Sequence, residues 1–123
     1  MAKYVINGGN RLEGTVTISG AKNAALPMIA ASLLTDGAVT LENVPDIADV
    51  ATMLEAARRF GAKVVRDLKE RTVTLETKRL VSARIDPELA AKIRTSFLFA
   101  GPMLARAGRA SLPPPGGDSI GHR

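Results

Sequence analysis

The stretch Ala21–Leu41, AKNAALPMIAASLLTDGAVTL, decides the fold because it predicts a helix followed directly by a strand. Residues 21–34 form an apolar run of helical length, and the turn-forming residues Thr35-Asp36-Gly37 predict its end. Gly37 is expected to adopt the left-handed conformation that often closes a helix. Ala38–Leu41 then predicts a short β-strand.

The same order of elements continues downstream of this stretch. Asp46 is predicted to cap a second helix, and Gly61 is predicted to end it. Lys63–Val65 and Thr72–Thr77 predict a β-hairpin in which alternate residues of the second strand face the core. The apolar residues predicted to line the buried face of the helix are Ile47, Val50, Leu54, Ala57 and Phe60.

A second round begins at Asp86-Pro87-Glu88, which combines an N-cap residue, a proline at the first helical position and an early acid. Pro102 is expected to kink or interrupt this helix near residues 100–101. Residues 32–45 and 102–115 share two leucines and a glycine at an offset of about 70 residues, which favours a duplicated helix-and-strand unit. A chance match is the alternative. The predicted buried stripe of the helix consists of Leu89, Ile93, Phe97 and Leu104.

The two ends of the chain frame this pattern. Near the start, Tyr4–Ile6 and Thr15–Ile18 alternate like strands and are joined by the turn-rich segment Asn7–Asn10. After Leu112, no predicted helix or hairpin matches residues 46–77. The expected order is strand, helix, strand, helix and hairpin, followed by a second unit that breaks off, so we expect a truncated chain.

The composition is that of one small aliphatic domain. The 123 residues are 46% hydrophobic but only 3% aromatic, so we expect a single core of Ala, Leu, Val and Ile. The absence of cysteine excludes disulfides and thiolate chemistry, and with one histidine and no carboxylate cluster we predict no metal site. The start lacks a signal core and no apolar run is long enough to span a membrane, so we expect a soluble cytoplasmic protein without a membrane partner.

The charge of the chain favours an anionic ligand. The net charge is +5 and the isoelectric point about 10.1, which suits nucleic acid or a small phosphorylated molecule. The basic residues are scattered, with Arg58–Arg59 and Lys78–Arg79 as the longest runs, and aromatic residues for base stacking are scarce. A small phosphorylated ligand explains the excess with fewer cations, but charge alone leaves both possibilities open.

Lys22 is the first candidate binding residue. It follows Ser19-Gly20-Ala21, where a predicted strand passes into a helix, so its charge adds to the partial positive charge of the helix N-terminus. This placement is unfavourable unless an anion binds there, because the lysine and the backbone N–H groups then act together. A solvated lysine at the helix surface is the alternative.

The last eleven residues, Pro113–Arg123, hold the second group of candidates. Three prolines stiffen the segment, two glycines free the backbone, and Asp118, His122 and Arg123 follow. Asp and Gly are also ordinary turn residues, so a surface turn is one interpretation. Arg94 lies one residue off the predicted apolar stripe, and a solvated helix face is its alternative.

Four motifs connect these candidates to a family. They are TISGAKNAALP (Thr17–Pro27), NVPDIADV (Asn43–Val50), RRFGAKV (Arg58–Val64) and LPPPGGDSIGHR (Leu112–Arg123). Together they resemble the UDP-N-acetylglucosamine enolpyruvyl transferases, in register from residue 4 to residue 123. The chain covers only the first part of a typical member.

This resemblance implies transfer of the enolpyruvyl group of phosphoenolpyruvate to the 3-hydroxyl of UDP-N-acetylglucosamine, with release of phosphate, as the first committed step of peptidoglycan synthesis. It implies no metal or organic cofactor. The implied fold is α/β (α+β) and is built of repeated βαβαββ units, here one complete unit and part of a second. Residues 1–20 would be strands that pack with the missing second domain, and residues 21–123 an incomplete first domain. The implied partners are both substrates and the missing C-terminal part of the same enzyme.

The family motifs also assign roles to single residues. Lys22 and Asn23 match the pair that contacts phosphoenolpyruvate and the sugar nucleotide. Arg94 matches a substrate-binding arginine, and Arg123 matches the arginine that grips phosphate or carboxylate after the mobile loop. Asp118 stands where most members carry the cysteine that gives a proton to the methylene carbon of phosphoenolpyruvate.

Asp118 and the three prolines depart from the common pattern, which has Leu-Pro-Gly-Gly and then cysteine. Loop closure would bring Asp118 onto the reacting carbon. An acid that stays protonated at neutral pH needs a pKa far above that of a free Asp side chain. Burial in the closed loop would raise the pKa of Asp118, while Lys22 and Arg123 would lower it. The substrate phosphate is an alternative source of the proton.

Three other functions are compatible with the sequence. A sister enzyme with a shikimate acceptor shares the fold, although the stretch SGAKNAALP favours the sugar nucleotide. A small basic phosphate- or nucleic-acid-binding module is a second possibility, against which the scattered cations count; on the enzyme interpretation we expect no nucleic-acid partner. The third is a truncated chain that binds ligand and catalyses nothing, because the acceptor site lies between two domains.

Overall fold

The computed structural model describes residues 3–114 and residue 116. Strand and helix alternate in the first half of the chain, and helical segments dominate the second. Two short 3-10 helices, Ser32–Leu34 and Arg94–Phe99, connect the longer elements. The helices are α1 (Lys22–Ala31), α2 (Ala48–Arg59), α3 (Pro87–Lys92) and α4 (Ala100–Ala107), and the strands are β1 (Ala38–Leu41), β2 (Lys63–Asp67) and β3 (Thr72–Glu76).

The three strands form one antiparallel sheet in the order β1-β3-β2. β3 lies in the centre, with Leu75 opposite both Val39 and Val64. Val73 and Leu75 of β3 are fully buried, as the alternation of the hairpin predicted. The predicted hairpin and the mixed α/β class are therefore confirmed.

The core lies between this sheet and the helices. α1 packs against α2 and against the 3-10 helix Arg94–Phe99, and Phe60 meets Phe99 edge to face with ring centroids 5.0 Å apart. Gly61 ends α2 with a φ of 102°, and a Cβ there would lie 2.7 Å from the carbonyl oxygen of Arg79. Glycine is therefore required at this helix end, as predicted.

The two strands predicted near the start of the chain, Tyr4–Ile6 and Thr15–Ile18, are not formed. Residues 3–20 run without regular structure, and their apolar side chains are exposed, for example Tyr4 at 88%. A strand is held by hydrogen bonds to a neighbouring strand. No strand of the described chain pairs with this segment, which explains the error.

The helical run from α1 through the 3-10 helix Ser32–Leu34 ends before Thr35, as predicted, but two predicted cap residues are corrected. Gly37 is not left-handed; its N–H instead donates to Thr35 Oγ1 at 3.1 Å. Asp46 does not cap α2, whose N-cap position is held by Ile47. The Asp46 carboxylate is engaged by Arg66 instead, as described below.

The second unit begins with a helix as predicted, but this helix ends earlier than predicted. The Asp86 carboxylate caps α3 by accepting the N–H of Glu88 at 2.8 Å. The helix breaks at Ile93, which is extended, so the predicted continuous stripe fails: Phe97 and Leu104 are 59% and 55% exposed. The chain is interrupted before the site predicted for Pro102, which lies in the first turn of α4, where proline is tolerated.

Arg106 of α4 joins the second unit to the first. Its guanidinium donates to the carbonyl oxygens of Leu33 (3.0 Å), Thr35 (3.1 Å), Thr77 (2.7 Å) and Lys78 (3.1 Å). These oxygens belong to the end of the α1 segment and to the chain leaving β3. One side chain, here called the Arg106 clamp, thus donates hydrogen bonds to two segments that are distant in sequence.

Candidate functional site

The start of α1 carries two of the predicted site residues, Lys22 and Asn23. They occupy the first two helical positions, and both are exposed. The N-cap residue Ala21 makes no side-chain cap, and the first turn contains no acidic residue. The N–H of Ala24 donates to the Ala21 carbonyl at 3.2 Å, and the positive end of the helix dipole favours an anion near this turn.

The backbone before α1 is fixed by a close contact at Gly20. A Cβ on Gly20 would lie 1.6 Å from the carbonyl oxygen of Asn43, so only glycine fits without displacement of the chain. Asn43 itself has a φ of 53°, and the N–H of Val44 donates to the Arg71 carbonyl at 2.8 Å. The loop between β1 and α2 therefore forms a wall beside the start of α1.

Two acidic residues near the start of α2 face two different cations. Asp49 Oδ2 lies 2.9 Å from Lys22 Nζ, which connects the first turn of α2 to the first turn of α1. Asp46 Oδ1 lies 2.9 Å from Arg66 Nη2, whose side chain is mostly buried. The charges at this end of the fold are thus paired specifically.

Arg94 lies on a different element that contacts α1. It is the exposed first residue of the 3-10 helix Arg94–Phe99, which follows the break at Ile93. This 3-10 helix packs against α1. The structure therefore brings the segment that carries Arg94 against the helix that carries Lys22 and Asn23.

The segment that leads towards Asp118 is anchored at the end of α3. The N–H of Gly116 donates to the Ala90 carbonyl at 2.8 Å, and a Cβ on Gly116 would lie 2.0 Å from the Ala91 carbonyl oxygen. Glycine is therefore required at this contact. The predicted site residues Asp118 and Arg123, as well as His122, lie outside the described residues.

Sequence reasoning missed Asp49 and the steric role of Gly20. Both lie within motifs that were recognised, but no periodic pattern relates Asp49 to Lys22, because the pairing depends on how α1 and α2 pack. An acid in the first turn of a helix ordinarily indicates only a favourable interaction with the helix dipole.

Neither a metal-binding cluster nor a membrane-spanning helix is present in the described part of the chain. Among residues 3–114 and 116, no group of three or more His, Cys, Asp or Glu is placed to hold a metal ion. In the same residues, no helix has the length and apolar character needed to cross a membrane.

Comparison with known proteins relates the whole chain to one family. The profile of a family described as EPSP synthase (3-phosphoshikimate 1-carboxyvinyltransferase) matches residues 6–123. The UDP-N-acetylglucosamine 1-carboxyvinyltransferase of Bradyrhizobium diazoefficiens is 50% identical over 121 residues, which are 98% of this chain and 28% of that protein. UDP-N-acetylglucosamine 1-carboxyvinyltransferase 2 of Carboxydothermus hydrogenoformans is 51% identical over 123 residues, which are 100% of this chain and 29% of that protein.

A solved structure agrees with these sequence matches. The enolpyruvyl transferase NikO from Streptomyces tendae superimposes with a TM-score of 0.74 at 32% identity, covering 84% of this chain and 24% of that protein. The chain thus spans less than a third of the length of the proteins that it matches.

Proposed function

Because the chain belongs to the EPSP synthase family, we propose that it forms part of an enolpyruvyl transferase that acts on UDP-N-acetylglucosamine. Relatives with that acceptor in their names match the whole chain at about half identity. The structural observation that carries the proposal is Lys22 at the start of α1, because the lysine charge adds to the positive end of the helix dipole and together they suit a phosphorylated substrate.

The reaction requires a proton donor and anion-binding groups. The sugar 3-hydroxyl oxygen bonds to the central carbon of phosphoenolpyruvate and gives up its proton, and the methylene carbon gains a proton from Asp118 to become a methyl group. The carbon–oxygen bond to phosphate then breaks as the methyl group returns a proton to Asp118, so the enol ether forms and phosphate leaves with the hydroxyl proton. Asp118 supplies the proton, Lys22 and Asn23 contact the substrates, and Arg94 and Arg123 bind their anionic groups.

The first residues support a two-domain arrangement. Tyr4, Val5, Ile6, Leu12, Val16 and Ile18 are apolar and exposed within one segment. Exposed apolar runs of this kind mark interaction surfaces. We propose that residues 1–20 pack against a second domain supplied by the rest of a full-length chain.

We also propose that this protein works in the cytoplasm, where it takes part in peptidoglycan synthesis.

A shikimate acceptor is the second candidate, and the description of the matching family favours it. The names of the relatives that match the whole chain favour the sugar nucleotide instead. Activity of the full-length enzyme with each acceptor, measured as phosphate release from phosphoenolpyruvate, separates the two. Release with shikimate 3-phosphate and not with UDP-N-acetylglucosamine would reassign the acceptor while leaving the enolpyruvyl donor unchanged.

The proposal is tested first at Lys22. In the full-length enzyme, Lys22→Ala is expected to lose most turnover, by about 10²-fold, because the cation that meets the anionic substrate is removed. Circular dichroism and the melting temperature should match the wild type, since Lys22 is half exposed. Lys63→Ala, at an exposed position of β2, is the control for loss of one positive charge. Full activity of Lys22→Ala with an unchanged KM for phosphoenolpyruvate would show that Lys22 is a surface residue without a role in substrate binding.

The competing nucleic-acid function makes an opposite prediction. Several cations of the described surface already pair with carboxylates, among them Arg58, Arg59 and Lys78. We therefore expect only feeble binding of random duplex DNA at physiological salt. Fluorescence anisotropy over a range of salt concentrations checks this. Nanomolar affinity at physiological salt with a steep salt dependence would favour the nucleic-acid module.

A further inference from the structure

The ion pair between Lys22 and Asp49 connects two helix starts. Lys22 is the first residue of α1, Asp49 lies in the first turn of α2, and Nζ and Oδ2 are 2.9 Å apart. The two helices pack against each other, so the pair lies at the end of a shared core. Its side chains are 52% and 38% exposed. The pair therefore lies where a substrate can reach it.

Stability does not explain this pair well. Ion pairs at exposed positions contribute about 0–1 kcal/mol, because water screens them and two side chains are immobilised. A lysine side chain alone loses up to about 2 kcal/mol of rotamer entropy when it is fixed in one orientation. The main consequence of the contact is thus the orientation of the Lys22 ammonium group.

The acid in the pair is itself held in place. The Asp49 carboxylate lies at the positive end of the α2 dipole, which favours a negative charge there. The Gly20–Asn43 contact fixes the backbone that enters α1 against the loop that enters α2. Asp46, three residues earlier, is engaged by Arg66 and does not compete for Lys22.

We propose that Asp49 is a positioning residue for phosphoenolpyruvate binding, which holds the Lys22 ammonium group in the orientation from which it meets the anionic substrate. The inference rests on the proposed function of Lys22. For removal of the Asp49 carboxylate, it predicts a change in anion binding that is opposite in sign to the change expected from charge alone. Removing a carboxylate beside an anion site strengthens anion binding electrostatically, whereas loss of positioning weakens it.

The test is a double-mutant cycle in the full-length enzyme. Asp49→Asn and Asp49→Ala are each expected to lower kcat/KM for phosphoenolpyruvate by about tenfold, because Lys22 loses its preset orientation. In a Lys22→Ala background the same changes should have no further effect, since the residue to be positioned is absent. Asp46→Asn removes the same charge nearby without touching Lys22, and should leave kcat/KM within about twofold. Melting temperatures of all variants report whether each one folds.

Each outcome bears on a different claim. If kcat/KM for phosphoenolpyruvate rises or stays constant in Asp49→Asn, or if Asp49 and Lys22 act additively, the positioning role is wrong. If Asp49→Asn and Asp46→Asn lower activity equally, the effect is one of general charge, and the proposal is also overturned. If Lys22→Ala retains full activity, the proposed function of Lys22 itself fails, whatever Asp49 does. Should Asp49→Ala not fold, the isosteric Asp49→Asn still decides the question.

Discussion

Replacing Asp118 with Asn or Ala is expected to reduce turnover of the full-length enzyme by about 10²-fold or more, the usual scale for loss of a general acid. The methylene carbon of phosphoenolpyruvate accepts a proton only from a group placed beside it. Asn has nearly the shape of Asp but no proton to give, so both variants should fold and bind substrate. Steady-state kinetics and the KM for each substrate check this. An Asp118→Ala enzyme as fast as the wild type would make Asp118 an ordinary turn residue.

The same position predicts the response to fosfomycin, the epoxide that alkylates the loop thiolate of the common cysteine form of the family. A carboxylate is a much weaker nucleophile than a thiolate, and a protonated carboxyl weaker still. The wild-type enzyme should therefore resist covalent inhibition. Asp118→Cys should gain sensitivity and keep activity, because a thiol also donates a proton. Mass spectrometry after incubation decides the matter, and a stoichiometric adduct on wild-type Asp118 would contradict the assignment.

Arg106→Met is expected to lower the free energy of unfolding of the chain by about 3 kcal/mol, because the carbonyls of the Arg106 clamp lose a charged donor. Two of these carbonyls accept from Arg106 in partly buried surroundings, where water replaces the lost bonds poorly. This is a large share of the total stability of a small domain. Urea unfolding followed by circular dichroism gives the value.

Two further variants control for the loss of charge and of length at this position. Arg106→Lys keeps the charge but lacks the planar fork, and is expected to lie between wild type and Arg106→Met. Arg109→Met removes an exposed arginine three residues later, beyond the end of α4, and should change stability by less than about 0.5 kcal/mol. If Arg106→Met proved as stable as Arg109→Met, the Arg106 clamp would make no measurable contribution to the free energy of unfolding.

The sequence predicted those elements whose signals are local. The hairpin of β2 and β3 followed from alternation, the end of α2 from Gly61, and the start of α3 from Asp86 and Pro87. The strands predicted near Tyr4 and Thr15 are absent from the described residues. A strand needs a neighbouring strand to pair with, and alternation in the sequence does not show whether one is present. The stripe through Phe97 and Leu104 failed for a different reason. Because Ile93 is extended, the residues after it begin a new helical segment, and their side chains no longer follow the predicted stripe.

The position of Lys22 was predictable, but its role was not tested. α1 begins at Lys22, as predicted, whereas the binding of an anion there stays a prediction. Arg94 lies on a segment that contacts α1, as a shared site requires, but its role remains a prediction. The pairing of Lys22 with Asp49 could not be predicted, because it depends on tertiary packing between helices that are distant in sequence. The roles of Asn23, Asp118 and Arg123 rest on the family motifs and stay predictions.

The Arg106 clamp has a consequence for the order in which the chain folds during synthesis. The loops that it stabilises, after Leu33 and around Thr77, leave the ribosome before Arg106 does. Until α4 has been made, their carbonyls lack the Arg106 donor, and the first unit should remain more open to proteases and chaperones. A unit that resembles an independent duplicate in sequence therefore completes its folding only together with its neighbour.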